Sequence, residues 1–318
     1  MTVGPHSGGM MRMPTEPPTL MRLLTPQFDA TSVVPGLAVV ALIAYLLGVR
    51  ALRRRGSRWP WHRTVNFVAG IVTVLLVTAT QVMGYGMVLF SIHMLQKMVL
   101  TVVSAMLLML GAPVSLAIRA LPRHGWGALS RRLLLRALRC KVARVLAHPV
   151  VTTVIFVGSL YGIYFTPTFD FLMRSWWGNV AMLLFFLGTG LLAFGGAFAL
   201  GPWPHRASAP IRIAELGLPG PLHAFFAVAL MMASAPVVRT FANPPAGWGI
   251  DVMTDQLAAG NIVWGFGEVP SVIAFVIVYL QWSRSEETLT KVSDRRVDVE
   301  LEAYNARLRR MAQESRSG

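Results

Sequence analysis

The sequence predicts an all-α membrane protein, a polytopic bundle of seven transmembrane helices with its N-terminus outside and its C-terminus in the cytoplasm. Three observations carry that expectation. Hydrophobic residues make up 54% of the chain, charged residues only 14%, and the mean hydropathy is +0.56. Several apolar runs approach or exceed the roughly 20 residues needed to cross a hydrocarbon core of about 30 Å. Of the 29 Lys and Arg residues, 24 fall on one side of the resulting topology and four on the other, with Lys97 inside a span. Basic loops face the cytoplasm, which orients the chain and requires an odd number of spans. Long continuous apolar runs also disfavour a β-barrel, whose strands read as short alternating segments.

Residues 1–32 hold Pro14, Pro17, Pro18 and Pro26 and no compact apolar core, so they read as a Met/Pro-rich disordered tail rather than a cleavable signal. The first span, Val33–Val49, then serves as its own insertion signal. Val65–Gln81 and Leu89–Leu110 follow, the latter carrying His93 and Lys97. Leucines and arginines at helical spacing from Trp126 to Val145 predict an interfacial helix, and Cys140, the only cysteine, falls within it. A lone cysteine excludes an intramolecular disulfide and a paired-cysteine copper motif.

Val150–Phe165 and Val180–Leu200 are the fourth and fifth spans. Leu222–Val238, the sixth, opens on His223 close to the inner boundary, where it should not meet His93 unless the helix starts deeper. Ile262–Trp282 completes a transmembrane domain over 33–282, leaving 283–318 as a cytoplasmic amphipathic tail. There Val297, Leu301, Tyr304, Leu308 and Met311 follow 4-3-4-3 spacing, a stripe suited to lying on lipid or on the basic loops.

The formal net charge of +15 is explained by these loops facing anionic lipid, so no nucleic-acid partner is expected.

Ionisable residues at membrane depth mark function by default. His93 and Lys97 share a helix face, about 6 Å apart along the axis. Glu268 starts about 9 Å below the outer end of the last span, a depth that makes it the expected partner of Lys97. Asp255, Gln256 and Trp264 are further outer-face candidates. Seventeen methionines include Met83, Met87, Met94 and Met98 near the same zone, and Met10, Met11 and Met13 beside His6 in the tail. Thioether and imidazole suit Cu(I), which makes His93, Met94, Met98 and His223 the candidate metal ligands. Methionine is equally an ordinary filler of apolar bundles. His62, His124, His148 and His205 lie in or beside cytoplasmic loops, where a solvated role is the default.

At these residues the chain resembles a family. Tyr85-Gly86, Phe90-Ser91-x-His93-Met94-x-Gln96, Leu110-Gly111-Ala112-Pro113 and Arg119-Ala120-Leu121-Pro122 look like the signature of the CtaG family of cytochrome c oxidase assembly factors. His148-Pro149, Gly158-Ser-Leu-Tyr161, Tyr164-Phe165-Thr166-Pro167, His223-Ala-Phe-Phe226, Asp255-Gln256, Trp264-Gly265-x-Gly267-Glu268 and Gln281-Trp282 continue it. The resemblance implies a seven-helix protein of the bacterial plasma membrane. Its partners would be cytochrome c oxidase subunits, which it helps to assemble as a chaperone of the respiratory chain, plausibly by bringing copper to the extracytoplasmic copper centre. The family pattern reads His-Met-x-Gln-His, and this chain has Lys97 at the second histidine.

A protonated lysine supplies a charge and no lone pair, so ligation is expected to be weakened here. The alternative function is a small-ion transporter or channel using the His93/Lys97/Glu268 zone, although no internal repeat supports it. An enzyme is not expected, because no nucleophile–base pair or cofactor fingerprint appears.

Overall fold

The computed structural model describes residues 14–27, 33–122, 126–198, 201, 203–204, 208–266, 272–273, 275–280, 282–283 and 301. Among the described residues the regular secondary structure is helical, with one isolated bridge between Pro26 and Thr80. Residues up to Phe275 form one compact unit and Val276–Gly318 a second. In the second, the described residues are helical, and the Tyr279 and Trp282 rings meet edge to face.

The longer helices of the first unit are α1 (Val33–Arg54), α2 (Trp61–Thr78), α3 (90–110), α4 (Pro113–Ala120), α5 (Trp126–Arg139), α6 (Pro149–Tyr164), α7 (Trp176–Phe198), α8 (Pro219–Met232) and α9 (252–266). Five described stretches are long and apolar enough to cross a bilayer: Val33–Arg54, Trp61–Thr78, Phe90–Ala120, Trp176–Phe198 and Ile211–Met232. The expected fourth span is the 16-residue α6. At about 1.5 Å per residue it reaches about 24 Å, short of a full hydrocarbon core. Part of the expected seventh span lies outside the described residues.

Leu37, Val40, Ile43 and Leu47 of α1 are exposed at helical spacing, an apolar stripe turned away from the bundle as lipid-facing helices require. The central helix is α3. Its most apolar window is 61% buried, against 28% for α1. It is not a uniform α-helix: Phe90–Met98 passes into a π-helical turn, Val99–Ser104, before Ala105–Leu110 resumes. Such turns release a backbone group from the ladder and recur at functional sites. Gly190 of α7 lies against the Thr101 carbonyl within this turn, at a distance no Cβ would fit.

At its far end α3 stops because Ala112 adopts a left-handed backbone (φ 49°) and Pro113 opens α4. The Gly111 carbonyl freed there accepts from Tyr45 Oη at 2.9 Å, and Trp59 Nε1 donates to the same Oη at 3.2 Å. Tyr45 stacks on Phe67, and a Cβ on Gly111 would come within 2.7 Å of the Phe67 Cβ.

The sixth span ends earlier than its apolar sequence suggests. α8 ends at Met232, because Pro236 disfavours helical backbone at Ala235. Gln256 of α9 satisfies the unwound segment, accepting from Val237 N–H at 2.8 Å and donating to the Leu230 carbonyl at 3.1 Å.

Residues 14–27 lie across the end of the bundle where α3 begins. Gln27 N–H donates to the Ala79 carbonyl, Tyr85 Oη donates to the Glu16 carbonyl, and Glu16 pairs with Arg22.

Candidate functional site

Three devices position the first turns of α3. Asp255 of α9 sits at their N-terminus, where its carboxylate accepts from Phe90 N–H at 2.6 Å, from Ser91 N–H at 3.3 Å and from Ser91 Oγ. A carboxylate there satisfies orphan donors and complements the helix dipole. Gln96 donates to the Val77 carbonyl at 2.7 Å and to Met83 Sδ at 3.4 Å, tying α3 to α2. Gly86 lets the preceding turn approach Gln96 and His93 closely. Asp255 and Gln256, expected as outer-face site residues, are thus placed as backbone-satisfying groups.

His93 and Lys97 are 2% and 3% exposed and face the same aromatic cluster. The His93 Nε2 lies within hydrogen-bond distance, 2.8 Å, of Tyr164 Oη of α6. Phe169 and Phe241 pack around the ring, with centroids 4.9 Å and 5.6 Å away.

One turn on, Lys97 Nζ lies 4.6 Å from the Tyr164 ring centroid, 5.2 Å from Phe186 of α7 and 5.8 Å from Phe226 of α8. Among the described residues its Nζ has no hydrogen-bond partner. Three ring faces within about 6 Å form an aromatic box for a cation.

His223 lies one turn before Phe226, at 6% exposure, with Nδ1 3.1 Å from the Pro219 carbonyl and its ring 5.2 Å from Phe156. Phe226, one turn further along the same helix, is the α8 residue that reaches Lys97.

Met94 and Met98 are fully buried core residues, and Trp264 is 42% exposed on α9. His62 and His148 are exposed. Glu268 lies outside the described residues, as do His6, Met10, Met11, Met13, His124, His205, Val297, Tyr304, Leu308 and Met311.

Tyr164, Phe186 and Phe226 were not among the site residues expected from sequence. Tyr164 and Phe226 do stand inside the motifs that carried the family resemblance, which was the available signal.

Cu(I) calls for a cluster of soft or imidazole ligands. His93 Nε2 is engaged by Tyr164 Oη, the Lys97 side chain takes the position one turn on, and no group of three His, Cys, Asp or Glu side chains that could hold a metal assembles among the described residues, so this set does not fit a copper ion.

Apolar helices of spanning length, packed around a buried lysine and two histidines, define a multi-pass helical membrane protein. The chain belongs to the family described as cytochrome c oxidase caa3 assembly factors (Caa3_CtaG), whose model matches residues 43–285. Uncharacterized proteins of Mycobacterium bovis and Mycobacterium tuberculosis are each 38% identical over 308 residues, covering 93% of this chain and 46% of their own length. One of Mycobacterium leprae is 36% identical over 306 residues, covering 93% of this chain and 46% of its own. The chain thus spans about half the length of the curated relatives it matches. No solved structure matches it.

Proposed function

We propose that this chain is a non-enzymatic assembly factor for a cytochrome c oxidase of the caa3 type. It acts in the bacterial plasma membrane with its N-terminus outside and its C-terminus in the cytoplasm. The observation that carries this reading is the family match over residues 43–285, which includes every residue of the aromatic box. The oxidase subunits are its partners, and anionic lipid surrounds its basic loops.

The box is a closed structural centre in this reading. It locks α3 to α6, α7 and α8 through one cation and one tyrosine–histidine bond, and so fixes the shape of the surface offered to the oxidase. Copper delivery, implied by the resemblance, is not routed through His93 and His223 here, since these residues do not fit the ion. Enclosure of His93 and Lys97 by aromatic rings leaves the ion-transport alternative without support.

The test is deletion of the coding sequence, followed by measurement of oxidase activity, assembled oxidase and copper per assembled oxidase. Assembled enzyme should fall while the copper content of what remains stays full. Unchanged amounts of fully metallated oxidase overturn the assembly reading. A selective loss of copper overturns the structural role of the box.

A further inference from the structure

Residues between Asp29 and Asp170 include 15 Lys and Arg and not one Asp or Glu. The arginines of this half therefore have no acidic neighbour in sequence, and three of them converge. Arg55 beyond the end of α1, Arg119 of α4 and Arg131 of α5 line a cavity of about 350 Å³ together with Ser57. Two of these guanidiniums are held in place by the protein. Arg131 Nε donates to the Ile118 carbonyl at 3.3 Å, and Arg119 lies 5.7 Å from the centroid of the buried Trp59 ring. Each guanidinium has five N–H donors, so most remain free for an anion.

A second cavity, of about 450 Å³, runs between α1 and α4. It is apolar, lined by Ala41, Ala44, Gly48, Ala51, Ala117 and Leu121 among others. Leu121 borders both cavities. A cationic head pocket thus adjoins an apolar trough along a helix that faces lipid.

We propose that this double cavity binds one anionic phospholipid, with the phosphate among Arg55, Arg119 and Arg131 and an acyl chain in the trough between α1 and α4. The charge complementarity selects an anionic head, since no carboxylate is among the described residues that line the arginine pocket. The apolar extension selects a lipid over free phosphate.

The experiment is native mass spectrometry of the full-length protein in neutral detergent, titrated with dioleoylphosphatidylglycerol, with dioleoylphosphatidylcholine and with inorganic phosphate. One phosphatidylglycerol should be retained at a concentration at least tenfold below that for phosphatidylcholine, and millimolar phosphate should not displace it. Removing surface basic charges weakens anionic-lipid binding about fivefold each, so Arg119→Gln with Arg131→Gln should cost about 25-fold. Ala44→Trp, which fills the trough and keeps the arginines, should lower retention too. Melting in the same detergent checks that each variant is folded, and if one fails to fold the other decides. Equal retention of the two lipids, or undiminished phosphatidylglycerol binding in a folded variant, overturns the proposal. Displacement by phosphate, with phosphate binding intact in Ala44→Trp, overturns the lipid and leaves a phosphate site.

Discussion

Lys97 is the most costly residue of the chain by position. A lysine at the centre of a spanning helix costs on the order of 3 kcal/mol on insertion scales, and a desolvated cation–π contact returns about 2 kcal/mol. Three ring faces therefore bring the group close to balance without invoking another charge. Lys97→Met, similar in length and apolar, removes both the insertion cost of about 3 kcal/mol and the cation–π return of about 2 kcal/mol, so the net change is small. Its melting temperature in detergent should not fall, while its ability to support oxidase assembly in a deletion strain should.

Lys97→His poses the opposite question. It places two imidazoles at i and i+4, and dialysis against a weak Cu(I) chelator should leave copper on this variant and none in the box of the wild type. Copper retained by the wild type and lost in His93→Ala would contradict the site as described. The His93–Lys97 pair was legible from a four-residue spacing. Its partners were not, because the Tyr164 bond joins residues 71 apart and one aromatic among many in an apolar helix carries no periodic signal.

At the scale of elements, a single carboxylate fixes where α3 begins. Asp255→Asn keeps an acceptor but loses charge and should cost about 1 kcal/mol. Asp255→Ala leaves the Phe90 N–H without its partner and should cost about 1–3 kcal/mol. Both are read from thermal unfolding in detergent, with faster amide exchange confined to Phe90–His93. An unchanged exchange rate there would refute the cap.

Helix existence was readable from apolar runs, but helix ends were not. α8 stops at Met232 although apolar residues continue to Val238, because Pro236 and the Gln256 amide override hydropathy. The π-helical turn in α3 was equally invisible, since one residue inserted into an all-apolar run leaves its composition unchanged.

For the whole molecule the distribution of charge matters more than its total. The proposed orientation puts the basic loops in the cytoplasm, as the positive-inside rule expects. Cys140 makes the orientation directly testable, since it is the sole cysteine and is exposed. An impermeant maleimide should leave it unmodified in intact cells and modify it in inverted vesicles; labelling of intact cells would invert the topology.

The Asp255 cap also bears on how the protein is made. The helix that carries His93 and Lys97 is synthesised before α9, and the carboxylate that completes its first turn is 165 residues further along the chain. Until α9 emerges, the nascent protein holds an uncapped helix and an unfinished box. The emergence of α9 therefore acts as a maturation step, and ribosome-arrested chains ending before residue 250 should be preferred clients of membrane quality control.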